Sequence, residues 1–263
     1  MKRNEKTKKT KRKKIIGIFL IGIGCCSILW GMKNKSIDSF SINNEKFIGY
    51  KIKEIIENKD VYPQELVELA LKKEETVDFV YNYNKNIKDK NKINIDKECI
   101  EGQFPLFIQW DERWGYDRYG DTYMAINGCG PTNLAMVIVG LTGDTSITPK
   151  VVADFSVQNG YYVENVGTSW SLLTEGAKAF GIQGEEIPLS EKSILSALEK
   201  GQPIIASMKP GDFTTSGHFI LMTGITEDGK IIVNDSDSRK RSNITWDLDV
   251  IMGQVKGLWK FYV

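Results

Sequence analysis

The sequence of 263 residues predicts an α+β domain preceded by a membrane anchor helix and a small helical segment. Three observations indicate this organisation. A charge-free apolar run follows a basic head, apolar residues recur at helical spacing through the middle of the chain, and strand-like runs take over toward its end. Helices followed by an antiparallel sheet, rather than a regular alternation of strand and helix, are typical of α+β domains.

The first two segments predict a single-pass membrane anchor. Residues 1–14 hold nine Lys or Arg against one acid, and the 18 residues 15–32 carry no charge. A bilayer-spanning helix needs about 17–25 such residues, and a basic flank stays on the cytoplasmic side. We therefore expect a cytoplasmic tail lying against anionic lipid, an uncleaved signal anchor, and an extracellular remainder. A cleaved signal and a lipid-modified Cys25 are the alternatives.

Charge and composition narrow the function classes. The net charge of +1 hides an asymmetry, since 26 of the 35 basic and 33 of the 34 acidic residues lie after the basic head. Such an acidic remainder gives no support for nucleic-acid binding. One histidine and the absence of a C-x-x-C pair make a zinc cluster implausible, and nothing in the sequence requires a cofactor or a metal. The oligomeric state stays open.

The rest of the chain divides by composition. A stretch with helical spacing, Tyr62 to Tyr83, stands between polar, charged segments. The boundaries that we expect are a tether over 33–50, a helical segment over 51–83, a charged linker over 84–102 and the main domain over 103–263.

Within the main domain the elements follow from spacing and stop signals. Helices are predicted over 128–143, 168–181 and 190–201, each closed by a glycine, and a fourth over 247–255. Strands are predicted over 202–208, 218–225, 230–235 and 258–263. Asp228-Gly229 predicts a hairpin between the second and third strands.

Cys129, in "NGCGPT", is a candidate nucleophile. It lies between two glycines at the start of an apolar helix, where free N–H groups and the helix dipole favour the thiolate. The flanking glycines would let a substrate backbone approach closely. A small buried cysteine that behaves as an apolar side chain is the alternative interpretation.

The single histidine, His218, is the candidate base. A cysteine nucleophile gains most from a nearby imidazole, and the imidazole needs an orienting group on its other nitrogen. Asp235 ends the strand that the predicted hairpin pairs with the His218 strand, so it can fill that position. Asn234 and Asp237 are rivals, and a satisfied core histidine is the simpler alternative.

An oxyanion hole would combine the Cys129 N–H with one side-chain amide. Gln109, in "FIQWDERWG", is the candidate donor, and Gln103 competes with it from further back in the chain. A solvated glutamine beside core aromatics is the alternative.

Four stretches in this order, "FIQWDERWG", "GCGPTNLAMV", "SGHFILMTG" and "IIVNDSD", resemble the bacteriocin-processing-type cysteine peptidase-like family, number thirty-nine of the cysteine class, within the papain-like superfamily. The resemblance covers about residues 103–263 and implies a papain-like fold. It also implies Cys129 as nucleophile, His218 as base, Asp235 as its orienting group and Gln109 as oxyanion donor. Relatives that trim leader peptides are usually fused to an exporter, which this sequence does not show, so leader trimming is not implied.

The function expected from the sequence is a membrane-anchored extracellular thiol peptidase acting on a peptide or protein substrate. Transfer of the acyl group to an amine on the same site is an alternative, and so is a catalytically inactive binding module. Cys99 is expected to be an exposed bystander thiol, although an oxidising exterior could join it to Cys129.

Overall fold

The computed structural model describes residues 45–87 and 92–263. The predicted basic tail, the anchor and most of the tether lie outside the described residues. In the described ranges no helix combines the length and the apolar character needed to cross a membrane. The chain divides into two units, 1–57 and 58–263. The described part of the first is one helix, α1, over residues 45–57.

The second unit begins with short helices over residues 58–87, which we call the lead-in. A 3₁₀ turn at Lys59–Val61 precedes α2 (Gln64–Lys72), a second turn at Glu74–Thr76, α3 (Val77–Tyr81) and α4 (Tyr83–Asn86). The single helix predicted here is wrong in detail, because Lys73 is extended at φ −142°. The Thr76 hydroxyl donates to the carbonyls of Leu69 and Lys73 at 3.2 and 2.7 Å, which satisfies groups at the end of α2 and stops it.

Helices and small hairpins lead into the main sheet. The elements are β1 (Arg118–Tyr119), β2 (Thr122–Tyr123), α5 (Met124–Asn127), α6 (Cys129–Thr142), α7 (Pro149–Gln158), β3 (Tyr162–Val163), β4 (Gly167–Thr168), a π-helix (Leu172–Gly176), β5 (Gln183–Glu186), α8 (Glu191–Leu198), β6 (Ile204–Met208), β7 (His218–Ile225), β8 (Ile231–Asn234), α9 (Arg239–Ser242), β9 (Thr245–Trp246), α10 (Leu248–Met252) and β10 (Val255–Tyr262). The mixture of helices and antiparallel sheet confirms the α+β class.

The main sheet has six antiparallel strands in the order β5-β10-β6-β7-β8-β9. Its central strands are apolar on both faces, and successive residues enter different cores. Ile205 and Leu221 join the core that contains α6 and α7, whereas Ile204 and Ile220 join the core that contains α8. Side chains of a strand alternate between its two faces, and both faces of β6 and β7 are buried. Their sequences are therefore apolar at nearly every position.

Most of the predicted elements are confirmed, and the exceptions have physical reasons. Helix α6 ends at Gly143, which adopts φ 71°, and Ser190 caps α8 by accepting from the Ser193 N–H. The helix predicted over 168–181 contains the π-helix instead. Strand β5 was not predicted, because an exposed sheet edge does not require apolar residues and its sequence is QGEE.

Candidate active site

A cleft of about 800 Å³ opens on the second unit. Three of the four sequence candidates line it: Cys129, His218 and Gln109. Other parts of its wall come from the lead-in, from residues 165–168 with Trp170, and from residues 211–217. The structure therefore brings residues distant in sequence to one solvent-accessible surface.

Cys129 is the first residue of α6, with Gly128 as the N-cap. Both flanking glycines are closely packed, and their expected role in admitting a substrate stays a prediction. A Cβ on Gly130 would lie 2.3 Å from the Thr168 hydroxyl, and one on Gly128 would lie 2.4 Å from the Met124 carbonyl. The half-buried thiol therefore stands at a helix N-terminus that is held tightly from two sides.

His218 begins β7 and is buried, with 6% of its side chain exposed. Its Nε2 lies 2.8 Å from Oδ1 of Asp235, which is fully buried directly after β8. Cys129 is close enough to the imidazole to contribute to its pKa. Because Asp235 occupies Nε2, Nδ1 is the ring nitrogen left for the thiol. The imidazole thus stands between a thiol and a carboxylate.

The electrostatics favour a charged imidazole. Burial alone would lower the pKa of His218, but the Asp235 carboxylate and, to a lesser degree, Cys129 raise it to about 10. Burial alone would raise the pKa of Asp235, but His218 and Arg241 hold it well below its usual range. The pair is therefore ionised near neutral pH.

The rivals of Asp235 face other partners. The Asn234 amide donates to the carbonyls of Phe104 and Pro105, both at 3.1 Å. The Asp237 carboxylate contacts Lys73. Neither side chain contacts His218, so the geometry favours Asp235 as the orienting group.

Gln109 is buried in the wall of the same cleft that Cys129 lines. Its Nε2 donates to the carbonyls of Ala125 and Ile126 at 3.0 and 3.2 Å, in the helix α5 that precedes the nucleophile. Its competitor Gln103 is exposed and does not line the cleft. Of the two glutamines, Gln109 is thus the one at the site, with its amide N–H groups directed at backbone carbonyls.

Two polar residues that sequence reasoning missed hold the site together. Asn133, one turn after Cys129, donates to the carbonyls of Cys129 and Phe219 at 2.8 and 2.9 Å, which links α6 to β7. Arg241 donates from Nε to Oδ2 of Asp235 at 2.5 Å. An asparagine inside an otherwise apolar helix was a usable signal for the first. The second depends on how the 235–242 loop folds, which the sequence pattern does not show.

The described residues contain neither a disulfide bond nor a cluster of metal-binding side chains. Cys99 and Cys129 are both free thiols. Cys99 is half-buried against the α6 core rather than exposed as expected, and burial raises its pKa. Among the described residues, no three His, Cys, Asp or Glu side chains are placed to hold a metal ion.

Comparison with known proteins agrees with this geometry. The model of the Peptidase C39 like family matches residues 101–262, which is more than half of the chain. The chain belongs to this family. It is also similar to the peptidase domain of Streptococcus ComA, described as a bi-functional ABC transporter involved in a quorum-sensing pathway, at 18% identity and a TM-score of 0.37. That likeness covers 52% of this chain and 90% of the ComA domain, and its score supports no further conclusion. A search of curated proteins finds no match.

Proposed function

We propose that this chain is a membrane-anchored thiol peptidase with a papain-like catalytic domain outside the cell. The observation that carries the proposal is one imidazole that is hydrogen-bonded to Asp235 at 2.8 Å and interacts with Cys129 as well. Hydrolysis of a peptide bond by a thiol needs a nucleophile, a base next to it and a group that orients the base. Membership of the Peptidase C39 like family supports cysteine peptidase activity in general.

The catalytic cycle follows from the charges in the site. The protonated His218 stabilises a thiolate at Sγ of Cys129, which attacks the carbonyl carbon of a peptide bond. A carbon–sulfur bond forms, the carbon–nitrogen bond breaks, and His218 gives its proton to the leaving amine. Neutral His218 then takes a proton from water, whose oxygen attacks the thioester, releases the acid and regenerates the thiolate beside the protonated imidazole.

Stabilisation of the oxyanion is proposed for the Cys129 backbone N–H and the Gln109 side chain. The first N–H groups of an α-helix have no partner within that helix, and Cys129 is the first residue of α6, so its N–H can donate to an oxyanion. Gln109 would exchange one of its two backbone carbonyl acceptors in α5 for the oxyanion when substrate binds.

The papain-like assignment is supported by the arrangement of the elements. A buried helix begins with the cysteine, and the antiparallel sheet on which it packs presents the histidine and the aspartate at one end. Register pairs Leu221 with Asn234, which puts the start of β7 and the end of β8 together.

The membrane location rests on the sequence alone. The charge-free residues 15–32 after a basic head support an uncleaved anchor, with residues 1–14 against anionic lipid and the catalytic domain outside. Digestion of intact cells with an added protease tests this. Loss of the C-terminal domain with survival of an N-terminal tag is expected, and a domain protected until the cells are lysed would contradict it.

Thiol labelling of the full-length protein tests the catalytic assignment. Iodoacetamide at pH 7, followed by mass spectrometry, should modify Cys129 faster than Cys99, which serves as an internal reference. His218→Ala should remove this advantage, and Cys99→Ser should leave Cys129 labelling unchanged. Equal and slow labelling of both thiols in the unsubstituted chain would favour an inactive binding module. With a cleaved peptide in hand, products formed with an added amine distinguish acyl transfer from hydrolysis.

A further inference from the structure

The lead-in lies outside the region that the family model matches, yet it contacts the loop that carries Asp235. Helix α9 forms the end of this 235–242 loop. It has only four residues, so the N–H groups at its start need acceptors from elsewhere. The Glu75 carboxylate supplies them. It accepts from the Ser238 hydroxyl at 2.5 Å and from the N–H groups of Arg239 and Lys240 at 2.9 and 3.1 Å.

Helix α9 in turn holds Asp235. Arg241 donates to Oδ2 of Asp235, and the Ser242 hydroxyl accepts from the Asp235 N–H at 2.8 Å. The Ser238 N–H donates to the Asp235 carbonyl at 3.2 Å. Each of these bonds depends on the position of the turn that Glu75 caps.

A second contact joins the lead-in to the same loop. The side chain of Lys73, which is largely buried at 17% exposure, forms an ion pair with Asp237. The backbone N–H of Asp237 donates to Oδ1 of Asp235 at 2.8 Å, the same oxygen that faces His218. Two charged residues of the lead-in thus act on the two sides of one loop.

We propose that Glu75 and Lys73 are positioning residues, through which the lead-in holds the 235–242 loop so that Asp235 faces His218. The lead-in is then a working part of the catalytic domain. The expected loss of turnover rests on the proposed peptidase function, whereas the expected change in the pKa of His218 does not.

The direction of the effect follows from the charges around the pair. His218 faces Cys129 from α6 and Asp235 from the loop, and Asp235 also faces Arg241 from α9. If the loop moves, Asp235 moves away from His218. Burial, which lowers the pKa of the imidazole, is then less opposed by the carboxylate, which raises it. The pKa of the imidazole should then fall.

The test substitutes Glu75→Gln in the full-length chain, with Glu74→Gln as the matched control. Glu74 precedes Glu75, is exposed, and pairs only with the exposed Lys240 in the described structure. The single histidine gives one imidazole signal, so nuclear magnetic resonance reports the pKa of His218 without a substrate. We expect Glu75→Gln to lower this pKa by about one pH unit or more and kcat/KM by about tenfold. Glu74→Gln should change neither, and Glu75→Asp should restore part of both.

The outcomes separate the two proposals. A His218 pKa and kinetics in Glu75→Gln equal to those of Glu74→Gln overturn the positioning role, even if thermal stability falls. If Glu75→Gln does not fold, Lys73→Met tests the second contact by the same measurements, and an unchanged pKa there refutes the inference. If the unsubstituted chain cleaves no peptide but the imidazole responds as expected, the peptidase function fails and the positioning role stands.

Discussion

Cys129 and Asp235 lie on opposite sides of the same imidazole, and the protein holds them by different means. Helix α6, which carries Cys129, is buried without interruption from Gly130 to Val139 and packs in an apolar core. The 235–242 loop is held by ion pairs and hydrogen bonds instead, among them the contact of Arg241 with Asp235. Close apolar packing therefore holds the nucleophile in place, whereas ion pairs and hydrogen bonds hold the orienting carboxylate.

This difference predicts which changes each side tolerates. Close packing has no room for added atoms, so the α6 side should fail when volume is added. A buried carboxylate depends on its partners, so the loop side should fail when a charge or a hydrogen bond is removed without any change of volume. Substitutions that change only one of these properties separate the two sides.

The largest effect is expected where the chemistry itself is removed. Cys129→Ser keeps the volume of the side chain and the α6 packing but replaces the thiol. Peptide hydrolysis should fall by at least about a thousandfold, because serine lacks the acidity of a thiol. The thermal unfolding temperature should stay the same, and an active serine variant would refute the nucleophile assignment.

Removing the charge of Asp235 tests the loop side. Asp235→Asn keeps the shape of the side chain but leaves His218 without its carboxylate and the Nε of Arg241 without a charged partner. Activity should fall by about a hundredfold to ten-thousandfold, measured as kcat/KM. The rival Asn234 provides the control: Asn234→Ala should keep kcat, because its amide bonds the carbonyls of Phe104 and Pro105. The reverse ranking would assign the orienting role to Asn234.

Adding one methyl group tests the α6 side. Gly130→Ala would bring a Cβ to 2.3 Å from the hydroxyl of Thr168, which is buried and bonded to Tyr119 at 2.8 Å. We expect a loss of about 1–3 kcal/mol in the free energy of unfolding, measured by denaturant titration, together with lower activity.

Gly253→Ala is the matched control for added volume. Its Cβ would lie 3.4 Å from the nearest atom, the Asp249 carbonyl, and its φ of −58° suits alanine. Stability should be unchanged or slightly higher. Equal losses in the two alanine variants would mean that α6 packing is not the factor that fixes Cys129.

The site was predictable from the sequence to the extent that its residues carry local signals. Cys129 lies at the start of a helix that its flanking glycines and the following apolar run predict. The Asp228-Gly229 turn predicts that β7 pairs with β8. The sequence could thus bring His218 and Asp235 near one another, but Asn234 and Asp237 fitted the same pattern. Choosing among them required the contacts of each side chain, which depend on the path of the loop.

The missed features share a physical cause. Strand β5 is a polar edge strand, and its place beside β10 comes from long-range pairing rather than from its own residues. Glu75 contacts residues that lie 163 to 165 positions further along the chain, and charged residues on turns, such as Arg241, give no periodic signal. Helix α7 was recoverable, since Thr148 as N-cap followed by Pro149 is a start signal that local reasoning can use.

A further effect, specific to the loop side, is the dependence of stability on pH. The pKa of His218 is raised from 6.5 to about 10 in the folded protein. Its contribution to stability is therefore complete below about pH 6.5, declines as the pH rises, and is lost above about pH 10. The slope is at most about 1.4 kcal/mol per pH unit.

The measurement compares the unfolding free energy of the unsubstituted chain with that of His218→Gln between pH 6 and pH 11. The window stays above the acid range, where protonation of Asp235, whose pKa is lowered by folding, would remove its own contribution. The difference between the two proteins should shrink as the pH rises, whereas Gly130→Ala should lose the same free energy at every pH. A difference that is constant or grows with pH would show that His218 is buried neutral, and charge would then not be what holds the loop side of the site.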